Sequence, residues 1–230
     1  MSLELGTKAT FEVRKHVLST SLAKSVSILF LSDLHLTSNS QHLVNNIAVT
    51  INKLQPDYLI FGGDYVDTKG GIFELKRLLS QLTLPAKSYA IAGNHDQWRW
   101  QSQIKQCFLE EGIKWFDQGQ FTFRLDQQGF VTDNNHHSVL NIACLHRPHK
   151  IKQLANQIDL ILCGHLHGGQ VVLWKNETGL FPGRLLYRWN VLYERVNDAH
   201  LFVSKGLGDT LPIRYNCKRD LLFIELSASN

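Results

Sequence analysis

No apolar run in this chain approaches the roughly 20 residues that a bilayer-crossing helix needs, and no run of five or more Lys/Arg occurs. The first absence argues against a spanning helix within the sequence. The second argues against a dedicated nucleic-acid face, because the basic residues are dispersed. Cys-x-x-Cys is missing as well. The four cysteines stand apart at Cys107, Cys144, Cys163 and Cys217, which speaks against a zinc knuckle. Cys144 and Cys163 fall in apolar, strand-like runs, so the thiols read as buried and reduced rather than catalytic. Linkers, repeats of fixed period and low-complexity tracts are also lacking, and residues 1–230 read as a single domain. The densest polar stretch, Thr132 to Ser138, is short and reads as a hairpin or surface loop.

What is present is a globular composition, with 43% hydrophobic and 19% charged residues and a mild net charge of +4 with His neutral. The first half alternates strand and helix. Thr10 to Val17 alternates apolar and polar residues as an edge strand does. Val26 to Ser32, Asp57 to Phe61 and Ser88 to Ala92 read as buried strands. Between and after them, Leu43, Ile47, Ile51 and Leu54, then Leu75, Leu78, Leu79 and Leu82, then Trp100, Ile104 and Phe108, fall at helical spacing. These helices are stopped by Pro56, Pro85 and Gly112. In the second half, Phe121 to Leu125 and Gly129 to Val131 look like a hairpin. Val139 to Leu145 and Ile158 to Cys163 look like buried strands, with a short helix from about His149 to Asn156 between them. From Gly169 onward the chain is strand-rich: Gln170 to Trp174, Leu185 to Val196, His200 to Ser204 and Leu221 to Leu226. The pattern predicts an α/β fold of two sheets packed face to face with helices outside.

Eleven histidines are the unusual entry in the composition, and several stand just after predicted strands. Ser32-Asp33-Leu34-His35 follows the first central strand and Gly62-Gly63-Asp64 the second. Gly93-Asn94-His95-Asp96 follows the third, Leu145-His146-Arg147-Pro148 the fourth and Gly164-His165-Leu166-His167 the fifth. Loops outside the carboxyl ends of strands are where open α/β sheets bind ligands, so these motifs should meet on one rim. Carboxylate, amide and imidazole donors without thiolates suit Mn²⁺, Fe or Zn²⁺ better than Ca²⁺. A carboxylate can also bridge two ions. Each motif alone reads most simply as a solvated turn, a helix cap or a structural histidine. Their conjunction, in order and each after an apolar strand, points to a dinuclear metal centre.

The ordered set Asp-x-His, Gly-Asp, Gly-Asn-His-Asp, His and Gly-His-x-His resembles that of the calcineurin-like metallophosphoesterase superfamily, over about Ile28 to Gln170. The resemblance implies a four-layer αββα sandwich and two divalent metal ions, manganese foremost, with iron or zinc as alternatives. It implies that Asp33, His35 and His167 hold one metal, that Asn94, His146 and His165 hold the other, and that Asp64 bridges them. His95 would be the catalytic histidine, and Asp96 would orient it by a hydrogen bond. Gly168-Gly169-Gln170-Val171, together with Gly206-Leu207-Gly208 and Leu211-Pro212-Ile213-Arg214, looks like a bacterial branch of membrane-associated phosphohydrolases that includes UDP-diacylglucosamine pyrophosphohydrolases.

The function this predicts is hydrolysis of a phosphodiester or pyrophosphate bond by metal-activated hydroxide, on a phosphorylated small molecule or lipid precursor. A cyclic or oligonucleotide phosphodiesterase is the enzymatic alternative, and a catalytically inactive scaffold with the same fold is the alternative of another class. Arg147, beside His146, and Arg214 are candidate contacts for substrate phosphate. Between Val172 and Val196, Trp174, Phe181, Leu185, Leu186, Tyr187, Trp189 and Tyr193 are interleaved with Lys175, Arg184, Arg188 and Arg195. The preferred reading is a β-hairpin with one face in the core; the other is contact with an acyl chain or membrane surface. The opening Met1-Ser2-Leu3-Glu4-Leu5 does not look like a signal peptide. The expected location is therefore cytoplasmic, with peripheral contact at the inner face of the membrane.

Overall fold

In the computed structural model, which describes residues 2–5, 9–133 and 138–228, the apolar segments become central strands. Val26–Leu31, Tyr58–Phe61, Lys87–Ile91 and Lys114–Phe116 run parallel, each beside the next. Arg219–Ser227 lies on the other flank of Val26–Leu31, antiparallel to it, and Phe11–Ser19 closes that edge parallel to Arg219–Ser227. These six strands form one mixed sheet. A second mixed sheet has five strands in the order Tyr193–Val196, Ala199–Val203, Leu160–Cys163, Ser138–Leu145 and Gln120–Asp126. Its three inner strands are parallel and its two outer pairings antiparallel.

Successive side chains of a strand point to opposite faces, so each central strand serves two layers. Ile28, Phe30 and Ile60 meet Ile142, Leu162 and Phe202 between the sheets. Leu29, Leu31, Leu59 and Phe61 face outward onto the helices. Helix Gln41–Leu54 offers that face Leu43, Val44, Ile47, Ala48 and Ile51, and it ends where Gln55 turns left-handed ahead of Pro56. Helix Lys69–Ser80 starts at Thr68, whose side chain accepts from the Gly71 N–H at 3.3 Å, and it buries Leu75, Leu78 and Leu79. Helix Gln101–Glu110 adds Ile104, Cys107 and Phe108. Full burial of such side chains contributes about 1.5–3 kcal/mol each. All four cysteines are buried and unpaired.

The fourth layer is thin. Ala143, Leu145, Ile161, Cys163 and Leu201 pack outward onto Ile151, Ala155 and Val191. Among the described residues only the short helix Ile151–Leu154, entered through the turn Pro148–Lys150, is helical there. Two local expectations are corrected. Residues 185–196 are not one strand: Gly183–Leu186 is a helical turn, and only Tyr193–Val196 pairs in the second sheet. The expected hairpin of 121–125 with 129–131 shrinks to a single bridge between Leu125 and Val131, and the ladder partner of Gln120–Asp126 is Ser138–Leu145 on its other edge. Residues 134–137 of the polar stretch lie outside the described residues. Among the described residues no helix is long and apolar enough to cross a membrane.

Candidate metal centre

The carboxyl ends of five parallel strands, three from the larger sheet and two from the smaller, open on the same end of the sandwich. Asp33 and His35 follow Val26–Leu31, Asp64 follows Tyr58–Phe61, and Asn94 follows Lys87–Ile91. His146 follows Ser138–Leu145, and His165 and His167 follow Leu160–Cys163. Three compact groups of donor atoms result: Asp33, His35 and His167 in one, Asp64, His146 and His165 in another, and His35, Asp67 and His95 in a third that overlaps the first at His35. In the first, His35 Nε2 is 3.2 Å from His167 Nε2, which is 3.5 Å from Asp33 Oδ1. In the second, His146 Nε2 is 3.2 Å from Asp64 Oδ2 and 3.0 Å from Asn94 Oδ1, and the His146 and His165 rings meet at 5.1 Å. Asp64 Oδ2 also lies 4.0 Å from His35 Nε2, so one carboxylate reaches both of the first two groups.

The outer nitrogens of two imidazoles are fixed by acceptors. His35 Nδ1 donates to Asp67 Oδ1 at 2.7 Å and His146 Nδ1 to the Gly62 carbonyl at 2.8 Å. Each pairing leaves Nε2 as the nitrogen that faces inward, as a ligating histidine requires. The carboxylates are steadied by backbone N–H groups, from His165 to Asp33 Oδ2 at 2.9 Å and from His95 to Asp64 Oδ1 at 2.9 Å. Gly93 is needed here: a Cβ on it would stand 2.1 Å from Asp64 Oδ1.

The local field is strong. Burial alone would raise the Asp33 carboxyl, but His167, His146 and His35 hold it below its ordinary value. Burial opposes charge on His146 too, yet the Asp64 and Asp33 carboxylates carry it up to about 9. His167, with burial dominant and His35 and Arg214 nearby, is pushed down to about 4. Inward-facing imidazole nitrogens crowded against two buried carboxylates, with an amide oxygen and no thiolate, form a donor set that fits two divalent cations.

Residues 26–169 match the family described as calcineurin-like phosphoesterase, well over half of the chain. This chain belongs to the calcineurin-like phosphoesterase family. Similar proteins include the phosphodiesterase YaeI of Escherichia coli, 25% identical over 94% of this chain and 88% of that protein. The uncharacterized metallophosphoesterase YkuE of Bacillus subtilis is 24% identical over 95% of this chain and 86% of its own length. A Helicobacter pylori metallophosphoesterase is 26% identical over 91% of this chain, which spans only 62% of that relative. Among solved structures, the phosphoesterase Yfce of E. coli aligns at 10% identity with a TM-score of 0.42, over 80% of this chain and 81% of that one.

In this calcineurin-like phosphoesterase the remaining candidates are placed unevenly. His95 stands at the cleft with its side chain 45% exposed; its ring meets that of His35 edge-on at 5.0 Å, and its Nδ1 is 3.7 Å from Asp67 Oδ1. Asp96 does not orient it. Its buried carboxylate instead accepts the backbone N–H groups of Gly93, Asp64 and Tyr65, and its hydrogen bonds among the described residues do not include the His95 ring. The carboxylate that His35 and His95 share is Asp67, which the sequence reading missed: it stands 32 residues from His35, and no spacing signals the pair. Arg147 is exposed at the rim and donates to Asn94 Oδ1 at 3.1 Å. Arg214 is not offered to a substrate. It is 1% exposed, behind His167, with its N–H groups engaged by Asp209 and the carbonyls of Lys205, Gly208 and Cys217. A cavity of about 510 Å³ opens beside the metal groups. Its far wall is apolar, with Leu166, Val171, Pro182, Leu186, Tyr187 and Leu211.

Proposed function

We propose that this enzyme hydrolyses a phosphodiester or pyrophosphate bond at a two-cation centre, with Asp33, His35 and His167 around one ion and Asn94, His146 and His165 around the other. The observation that carries this reading is the position of Asp64, whose Oδ2 lies within 4.0 Å of inward nitrogens from both groups. When bound, two divalent cations supply Lewis acidity toward phosphoryl oxygens and a water of lowered pKa. The donor chemistry favours manganese, iron or zinc.

The chain's own residues do the rest. The His95 imidazole, beside the Asp67 carboxylate, is placed to hand a proton to the leaving oxygen. Arg147 keeps one N–H on Asn94 and has others free for phosphoryl oxygens. Leu186, Tyr187 and Leu211 form an apolar wall that receives an apolar substituent of the substrate. That wall supports a substrate of the acylated nucleoside-diphosphate-sugar kind, such as a UDP-diacylglucosamine, met at a membrane surface. The name of the E. coli relative supports a diester bond and keeps a cyclic or oligonucleotide diester as the second reading.

Hydrolysis of acylated UDP-glucosamine, cyclic nucleotides and bis-p-nitrophenyl phosphate, with metals measured on the same sample, separates these substrates. In that assay His95→Gln should lower turnover about 10²- to 10⁴-fold while metal content stays at the wild-type level. Loss of metal in this variant would make His95 a ligand and overturn its assigned role.

A further inference from the structure

A second cavity of about 510 Å³ lies outside the cleft, between the Val172–Asn176 strand and the segment 216–218. Three lysines line it, Lys175, Lys205 and Lys218, against one carboxylate, Glu12. Lys205 is 7% exposed, and among the described residues Glu12 Oε1 at 2.6 Å is the one side-chain partner of its Nζ, which leaves two of its three N–H groups for another acceptor. The acidic residues behind this wall are already matched: Asp220 by Arg14, and Glu4 and Asp209 by Arg219 and Arg214. Among the described lining residues two positive charges are therefore in excess, and Trp174, Leu180 and Leu192 give the cavity an apolar wall.

The cavity backs directly onto the metal-binding loop. Cys217, in its floor, donates its thiol to the His167 carbonyl at 3.4 Å. A Cβ on Gly168 would stand 2.7 Å from Cys217 Sγ and 3.1 Å from Lys205 Cγ, so the loop and the cavity floor are in contact with no slack. Arg214 ties the two sides together: it donates to the Lys205 carbonyl at 2.9 Å and lies 3.5 Å from His167 Nδ1.

We propose that this cavity is an effector site for an organic phosphate monoester, and that occupancy alters turnover through the His167–Gly168 loop. A phosphate monoester carries about −1.5 to −2 charges near neutral pH, which matches the excess of two. Its organic part packs on Trp174, Leu180 and Leu192, and its oxygens take the free N–H groups of Lys205 with Lys175 and Lys218 at the mouth.

The test is calorimetric titration of the metal-loaded full chain with phenylphosphonate, a stand-in that is not hydrolysed. Wild type should show two binding events, one displaced by substrate and one not. The second event should move turnover of bis-p-nitrophenyl phosphate without competing for it. In Lys175→Glu/Lys218→Glu the second event should weaken roughly tenfold or more, the first should persist, and turnover without phosphonate should be unchanged. Lys175→Gln/Lys218→Gln, a milder change, should weaken it less and guards against a folding defect. A single substrate-displaced event in wild type, or an undiminished second event in both double variants, would overturn the site. A second event that leaves turnover unmoved would overturn the coupling. Because the second event is read by heat rather than by activity, its outcome stays separate from that of the hydrolase reading.

Discussion

Three backbone N–H groups, those of Gly93, Asp64 and Tyr65, converge on the Asp96 carboxylate at 2.7, 2.8 and 2.9 Å. The carboxylate is fully buried, so each of these donors depends on it. Asp96→Asn replaces one acceptor oxygen by a donor and leaves at least one buried N–H facing an amide NH₂. The expected cost is about 1–3 kcal/mol in urea unfolding, together with weaker metal binding as the Asp64 loop loosens. Wild-type stability in this variant would mean that the three donors have other acceptors. The adjacency of His95 and Asp96 invites the reading that one orients the other. On the Asn94–Trp98 helical turn, however, neighbours point about 100° apart, and Asp96 turns inward as His95 faces the cleft. Asp67, which does serve the two imidazoles, comes from another loop. Residue types and their order revealed the candidate ligands because metal chemistry restricts donors to a few side chains. They could not reveal which carboxylate sits behind which imidazole, since that depends on how two loops cross.

At the scale of elements, the helices were legible because an amphipathic face repeats locally. The excursion from 172 to 187 was legible in part: the expected β-hairpin forms between Val172–Asn176 and Gly179–Pro182, but it ends sooner than expected. Its apolar density reads as strand, but Pro182 and Gly183 break the pairing, and after the hairpin of Val172–Asn176 with Gly179–Pro182 the chain curls into the Gly183–Leu186 turn. Leu185, Leu186 and Tyr187 are left 73, 80 and 60% exposed, the last two on the rim of the metal cleft. Three contiguous exposed apolar side chains, followed by Arg188, are costly to keep in water and suited to an anionic membrane interface. The wild-type chain should therefore co-sediment with vesicles containing anionic lipid. The Leu185→Ser/Leu186→Ser/Tyr187→Ser variant should lose at least tenfold in partitioning, since even partial burial of each side chain is worth about 1 kcal/mol. Its turnover of a soluble diester should change far less. A wild type that stays in the supernatant at every vesicle concentration would remove the membrane contact and leave the metal chemistry untouched.

Over the whole molecule, the site joins two sheets that pack face to face, and it does so through strained loops. The αββα plan was legible in the alternation of strands and helices, whereas the entry of Arg219–Ser227 between Phe11–Ser19 and Val26–Leu31 was not, because no local pattern encodes a pairing of such range. Nor does sequence show that Asp33, His35, Asp64, His165 and His167 all adopt left-handed backbone, with φ of 55, 44, 57, 74 and 49°. Non-glycine residues held there cost of order 1–3 kcal/mol each, and they persist only where surrounding interactions outweigh the strain. Bound cations are one such interaction, since the unfolded chain cannot assemble seven converging donors. An ion at 100 times its dissociation constant adds about 2.7 kcal/mol. In a chain of this size that corresponds to a rise in Tm of about 5–11 °C. Removing metal with a chelator should lower Tm by at least that amount, and Mn²⁺ or Zn²⁺ should restore it. Asp64→Asn should show little response to either treatment, because its carboxylate reaches both groups. A Tm that stays constant while elemental analysis records loss of metal would show that the packed sheets alone hold the five strained residues, and that the ions contribute chemistry without stability.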